Sequence, residues 1–237
     1  MSNQPKTLLR LLDFVVDALI PQDCFLCGAP AAGRAICTAC EAELPGAPAQ
    51  ACPCCAVPVA SGGRCGECLQ HPPAFDSTVA LFAFAFPVDR MVHALKYRHR
   101  LGLADYFAAV ALRRGLPPDI DMVLPMPLHP ARLAERGFNQ SVEIARPLAR
   151  ALGVGLELSA LKRVRNIPTQ SGLSREERQR NVRGAFDSAT DLRGRCVLVL
   201  DDVMTTGATL SEAARILKRR GAERVDNLVI ARTPPPG

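Results

Sequence analysis

Between Val197 and Leu210 the chain reads Val-Leu-Val-Leu-Asp-Asp-Val-Met-Thr-Thr-Gly-Ala-Thr-Leu. Four apolar residues in succession, without alternation, describe a strand buried on both faces, as in a parallel sheet covered by helices. Two carboxylates follow, then small and hydroxylated residues, then a helical pattern from Leu210 to Arg220. A strand, a tight loop and a helix start in that order define an α/β unit. In open sheets of this kind ligands bind beyond the carboxyl ends of the strands, where loop N–H groups and a helix N-terminus attract an anion. Thr205, Thr206, Gly207, Ala208 and Thr209 can surround a phosphate with N–H and hydroxyl donors, while Asp201 and Asp202 can accept hydrogen bonds from vicinal hydroxyls. A sugar phosphate satisfies both halves. The G-x-x-x-x-G-K-[ST] and G-x-G-x-x-G loops, which cradle phosphates in other α/β proteins, do not occur in the chain.

The second constraint is a repeat of cysteines. Cys24, Cys27, Cys37 and Cys40 recur 28 residues later as Cys52, Cys55, Cys65 and Cys68, so that each unit is C-x2-C-x9-C-x2-C. A C-x-x-C turn lets two thiolates grip one ion, and four thiolates close the tetrahedron of a structural zinc with no open position for catalysis. Two zinc ions are therefore expected, with pairing within or across the units left open by spacing. Gly28 and Gly66 fall where such a knuckle calls for a positive φ. Cys54 is a bystander thiol, and Cys196 belongs to the core of its strand. The chain shows no export signal, so cysteines at this spacing indicate a reducing cytoplasm and metal, not disulfides.

The 237 residues suffice for one α/β domain of ordinary size and a small appendage. A net charge of +6, from 29 basic and 23 acidic residues, suits an anionic small molecule as well as a nucleic acid. Between Thr7 and Ile20 the residues Arg10, Asp13 and Asp17 make one polar stripe on an amphipathic helix, too short to span a bilayer.

After the linker His71-Pro72-Pro73, an apolar strand or edge hairpin is expected over Thr78 to Phe86, a helix over Val88 to Tyr97 and another over Leu103 to Arg113. Lys96 and Arg98 near the first helix end serve either as solvated charges or as a face for a polyphosphate. A strand over Ile120 to Leu124 leads into Pro125-Met126-Pro127-Leu128-His129-Pro130, a turn stiffened by three prolines. Arg132 and Arg136 follow, and Phe138 to Ser141 opens a helix running to about Leu152. Arg163 to Phe186 is a polar, Arg-rich insertion between two strands, longer than an ordinary connection. Arg224 to Arg232 is one more strand.

The 197–210 stretch closely resembles the phosphoribosyl-pyrophosphate signature of the type I phosphoribosyltransferases. Taken with Arg-Gly-Phe-Asn-Gln at 136–140, Thr169-Gln170, Leu173 to Arg178 and Asn181 to Phe186, the chain resembles the competence-associated ComF family, whose members join an N-terminal zinc-binding segment to a phosphoribosyltransferase domain. The resemblance implies a type I phosphoribosyltransferase fold, a parallel sheet flanked by helices, preceded by a small double zinc ribbon. The expected division is an N-terminal helix at 1–21, the double zinc-binding segment at 22–73 and the phosphoribosyltransferase domain at 74–237.

Asp201 and Asp202 would then be catalytic, orienting the ribose and favouring the positive charge that develops on its ring. Thr205 to Thr209 would hold the 5-phosphate. Met126, Pro127 and Leu128, with Arg132, Arg136 and Lys96, would hold the pyrophosphate, which brings Mg²⁺. The insertion would close over the substrate as a hood, the alternative being a solvated surface arm. Implied partners are phosphoribosyl pyrophosphate and, through the family's association with DNA uptake, single-stranded DNA or uptake proteins, in the cytoplasm. The alternative is a sugar-phosphate sensor, or an adaptor for DNA or protein, that binds without turnover; only 2 Tyr and no Trp argue against a base-stacking platform.

Overall fold

A computed structural model describes residues 23–60, 62–166 and 175–234. The expected helix at 1–21 and the Thr169-Gln170 part of the insertion lie outside the described residues. Packing divides the chain into two compact units, Met1–Leu44 and Pro45–Gly237.

In the first unit, Cys24 and the short helix α1 (Thr38–Ala42) bring one set of cysteines together. The second unit begins with the other set, which includes the helix α2 (Gly66–Gln70). It continues with β1 (Ser77–Ala83), α3 (Val88–Tyr97), α4 (Gly102–Arg114), β2 (Met122–Pro125), α5 (Pro130–Arg136), α6 (Gln140–Leu152), β3 (Gly155–Leu156), β4 (Lys162–Arg163), α7 (Arg175–Val182), β5 (Phe186–Asp187), β6 (Cys196–Met204), α8 (Ala208–Arg219) and β7 (Arg224–Arg232). The expected boundary at 73/74 is therefore not where packing divides the chain. Cys52, Cys54, Cys55 and Cys68 share one apolar cluster with Phe75, Leu124, Val199 and Val229, which joins the second cysteine unit to the sheet.

Five strands form a parallel sheet in the order β1-β7-β6-β2-β3, and β4 and β5 make a separate antiparallel pair. Val197, Leu198, Val199 and Leu200 in β6 are essentially inaccessible, the two-sided burial that their unbroken apolar run requires. In α3 the buried Val88, Met91, Val92 and Leu95 recur at helical spacing. Asn139 caps α6 by accepting the Ser141 N–H through Oδ1 at 3.0 Å, and the helix ends at Gly153 with φ +70°.

The order of the strands locates the site. β2 lies between β6 and β3, and the chain leaves β2 through α6 toward β3, whereas it leaves β6 through α8 toward β7. The two connections run in opposite directions from adjacent strands, which opens a crevice at their carboxyl ends. Into it face the proline-stiffened turn after β2 and the Thr-rich loop after β6.

Two local expectations are corrected. β6 does not stop before the acids but runs on to Met204, with Asp201 opposite Val229 and Met204 opposite Arg232 on β7. Long-range pairing with β7 extends the strand through polar residues that local pattern reads as loop. Cys196, expected in the core, is only partly buried at the first position of β6, where its N–H donates to Asp121 Oδ2 at 2.7 Å.

Candidate functional site

Successive strand residues face opposite sides, and the two acids of β6 have different neighbours accordingly. Asp202 is buried, with Oδ1 accepting from Lys96 Nζ at 2.8 Å and Oδ2 from Gln140 Nε2. Gln140 Oε1 in turn accepts from Arg136 Nη1, and the Arg136 guanidinium lies 4.9 Å from the centre of the Tyr97 ring. Asp201 accepts the Asp202 N–H at 2.9 Å. Burial, then the charge of Asp202, raises its carboxyl to about 7; the Asp202 N–H and the charges of Lys96 and Arg163 act the other way. The Asp201 carboxyl thus keeps its proton to a higher pH than an ordinary carboxylate.

Across the crevice, Arg163 stands over the Phe186 ring at 5.6 Å. Its Nε is buried and, among the described residues, meets no hydrogen-bond partner. Desolvation and then the nearby charge of Arg132 lower its affinity for a proton, while Asp201 raises it. Lys96, Arg132, Arg136 and Arg163 therefore gather positive charge around the acid pair.

The proline-stiffened turn offers fewer amides than its length suggests. The Met126 N–H already donates to Leu200 O at 2.8 Å, continuing the β2 ladder, and Pro127 has no N–H. Of the expected three residues only Leu128 brings an N–H free of the sheet; Met126 acts instead as an acceptor, its carbonyl fixed by Asn139 Nδ2 at 3.0 Å.

Opposite, Thr205 is exposed, and Thr206 and Thr209 are partly so, which leaves their hydroxyls within reach of a ligand. Thr206 Oγ1 accepts from the Ala208 N–H at 3.4 Å, and Gly207 precedes α8 with φ +79°. The backbone conformation calls for glycine there, and a Cβ would stand 2.5 Å from Met204 Cε, so that the end of the buried Met204 side chain would have to shift. Beyond it the first N–H groups of α8 point along the helix dipole into the crevice.

Each cysteine unit closes on itself. The thiol sulfurs of Cys24, Cys27, Cys37 and Cys40 lie within 4.8 Å of one another, as do those of Cys52, Cys55, Cys65 and Cys68. A tetrahedral zinc with Zn–S bonds of about 2.3 Å places its sulfurs about 3.8 Å apart; Cys27 and Cys37 stand at 3.8 Å and Cys55 and Cys65 at 3.6 Å. Both tetrads fit the ion.

The backbone repeats with them: Cys24 N–H donates to Ala29 O and Cys52 N–H to Val57 O, both at 2.8 Å. Burial opposes a thiolate at Cys24, but N–H groups of Cys37, Cys27 and Leu26 outweigh it and bring the thiol down to about 6; Cys65, Cys55 and Cys54 do the same at Cys52, to about 7. Gly28 has the expected positive φ, +71°, but Gly66 opens α2 and the equivalent left-handed position is Ala56, φ +58°. Cys54 is buried outside the tetrad.

Gln140, Arg163 and Arg232 were not singled out by sequence as site residues. Gln140 sits in the Arg-Gly-Phe-Asn-Gln run but showed no role without its partners. Arg163 opens the insertion. Arg232 had one signal, a cation ending a strand otherwise rich in Val, Leu and Ile.

A parallel sheet carrying a Thr-rich phosphate-type loop at its switch point, preceded by two cysteine tetrads, defines a phosphoribosyltransferase-fold protein with a double zinc ribbon. The family description "Phosphoribosyl transferase domain" matches residues 139–235, and "Double zinc ribbon domain" matches residues 15–69. The DNA utilization protein YhgH of Salmonella typhi is 35% identical over 225 residues, covering 90% of this chain and 98% of that protein. Competence protein F of Haemophilus influenzae is 30% identical over 182 residues, 71% of this chain and 78% of that protein. The chain belongs to the ComF family. A glutamine phosphoribosylpyrophosphate amidotransferase from B. subtilis overlaps 55% of this chain and 25% of its own at 23% identity and a TM-score of 0.36. No helix among the described residues is long and apolar enough to cross a membrane.

Proposed function

We propose that the crevice between β2 and β6 binds phosphoribosyl pyrophosphate and that the protein transfers its phosphoribosyl group to an acceptor. The observation that carries this reading is the convergence, at one switch point, of the acid pair, the Thr205–Thr209 loop and four cations. The 5-phosphate would take the N–H groups and hydroxyls of Thr205, Thr206 and Thr209 at the α8 N-terminus, with Gly207 and Ala208 allowing close approach. Asp201 and Asp202 would face the ribose hydroxyls and, as C1 loses pyrophosphate, the developing positive charge on the ring. The departing pyrophosphate would meet Leu128 N–H, Arg132, Arg136 and Arg163, with Lys96 behind. Mg²⁺ would arrive on the pyrophosphate oxygens, needing one or two carboxylates at most, which the acid pair supplies. Zinc in the tetrads would be structural.

A specific observation favours a second reading, binding without turnover. Both Asp202 oxygens already accept from protein donors, and the charge of Lys96 is set against the carboxylate, so Asp202 has less negative charge left to offer a cation developing on the ribose. Relatives named for DNA utilization and competence point either activity toward the handling of DNA that a cell takes up. Calorimetry with phosphoribosyl pyrophosphate and Mg²⁺, followed by assay of pyrophosphate release across candidate acceptors, separates the cases. Binding with release supports transfer, binding without release against any acceptor supports the sensor, and no binding removes both.

A further inference from the structure

The second cysteine tetrad and the phosphate loop meet in one side chain. Arg232, the last residue of β7, is 8% exposed. Its Nε donates to the carbonyl of Cys55 at 2.8 Å. From the same guanidinium Nη1 donates to Met204 O at 3.1 Å, to Thr205 O, and to Thr233 O at 2.6 Å. Cys55 is a member of the second tetrad, and Thr205 is the first residue of the loop. A planar guanidinium engaged on both edges has little freedom, so displacing the Cys55 carbonyl displaces the Thr205 carbonyl with it.

Two further contacts link the same pair of regions. Ala74, just after the second tetrad and α2, donates its N–H to Ser211 Oγ in the first turn of α8 at 3.1 Å. The Phe75 ring edge comes within 3.5 Å of the Cβ position at Gly207. On the sheet side Thr78 N–H donates to Pro53 O at 3.1 Å, anchoring the tetrad's own turn to β1.

We infer that the second zinc site is part of the sugar-phosphate site, with Arg232 as the positioning residue that transmits the fixed geometry of the Cys52–Cys55 turn to the Thr205–Thr209 loop. Four thiolates around one ion hold that turn rigid, and a rigid turn presents the Cys55 carbonyl where Arg232 needs it. Without metal the turn relaxes, the Arg232 fork loses one anchor, and the loop must be ordered at the ligand's expense. This inference rests on the sugar-phosphate reading.

Linkage makes it testable without turnover. If zinc at the second tetrad favours phosphoribosyl pyrophosphate binding, the ligand must favour that zinc by the same factor. The experiment uses the full chain with Cys27→Ser, which keeps only the second tetrad complete, and measures the chelator concentration that removes half the zinc, with and without saturating phosphoribosyl pyrophosphate and Mg²⁺. The ligand should raise that concentration by about fivefold or more. Zinc-stripped protein should bind the ligand more weakly by an equal factor. Arg232→Lys keeps the charge but not the fork, and should retain zinc while losing the ligand's effect on its removal.

An unchanged chelator midpoint in protein that binds the ligand would overturn the coupling and leave the sugar-phosphate reading intact. Full coupling in Arg232→Lys would remove Arg232 from it. Should that variant fail to fold, the comparison with Arg232 present still decides. Absence of any ligand binding by zinc-loaded protein without substitutions would overturn both readings together.

Discussion

Lys96 Nζ lies 2.8 Å from Asp202 Oδ1, a pair joined across 106 residues of sequence. Their side chains are 21% and 10% exposed, so the attraction is only partly screened, and neither charge is well hydrated alone. The pair holds the C-terminal turn of α3 over β6 and sets the charge that any ligand of Asp202 meets beside that carboxylate.

Removing one partner of this pair should cost more than removing both. Lys96→Met leaves Asp202 with Gln140 as its remaining side-chain donor, and an incompletely satisfied buried group costs roughly 1–3 kcal/mol. Asp202→Asn added to Lys96→Met removes the unbalanced charge and should recover part of the loss. Urea denaturation of the two single variants and the double variant measures this as a cycle. Additive losses would mean that the pair contributes no coupling.

Asp201 gives the free protein a pH dependence of definite sign. Its carboxyl is raised from the ordinary 3.8 to about 7 by burial and by the charge of Asp202. A folded value above the unfolded one means that the contribution to stability is fully present below the unfolded pKa and is lost as pH rises through the folded pKa, here from about pH 4 to about pH 7. Asp201→Asn does not titrate. Its stability relative to the unsubstituted protein should therefore improve from pH 4 to pH 7, by up to about 1.4 kcal/mol for each pH unit of displacement. Denaturation midpoints of both proteins across that range test it, and parallel curves would place the Asp201 carboxyl near its ordinary value.

The tetrads predict a metal count and its response to substitution. Purified full-length protein should carry about two zinc ions, and Cys24→Ser or Cys55→Ser should each remove about one, since three thiolates close a structural site poorly. Elemental analysis of the three proteins is the check. Loss of both ions on either single substitution would show that the units do not close independently.

How much of this was legible in sequence depended on how local the cause was. The apolar start of β6 at Val197–Leu200, the loop and α8 were readable because their pattern is contiguous: an apolar run, two acids, then small residues before a helix. The extension of β6 to Met204 depends on pairing with β7 and was not readable. α3 was expected at Val88–Tyr97 and occurs there, since its apolar residues carry their period with them. The tetrads were readable from a repeat, but whether cysteines pair within or across units is a matter of three-dimensional closure. Likewise Ala56, rather than Gly66, takes the second left-handed position because the repeat of Gly28 falls 28 residues on, at an alanine. The contacts of Gln140 with Asp202 and of Arg232 with Cys55 span 62 and 177 residues, and no local pattern announces such distances.

Gly207 offers the sharpest test of the phosphate loop. Alanine there would have to adopt φ near +79° and place its Cβ 2.5 Å from Met204 Cε. The left-handed conformation costs an L-residue roughly 1–2 kcal/mol, of which about 0.4–1 kcal/mol is offset by the reduced freedom of the unfolded chain. The end of Met204 can move, but Met204 is buried, and its shift disturbs the residue whose carbonyl Arg232 holds. Gly207→Ala should therefore lose about 1 kcal/mol of stability and bind phosphoribosyl pyrophosphate at least about tenfold more weakly, a change of 1.4 kcal/mol. Gly194→Ala is the matched control, with φ +69° but nothing within 4 Å of its Cβ position. It should show the strain without the loss of affinity. Urea denaturation and calorimetry on both variants separate the effects, and equal ligand affinity in Gly207→Ala and the unsubstituted protein would place the phosphate somewhere other than this loop.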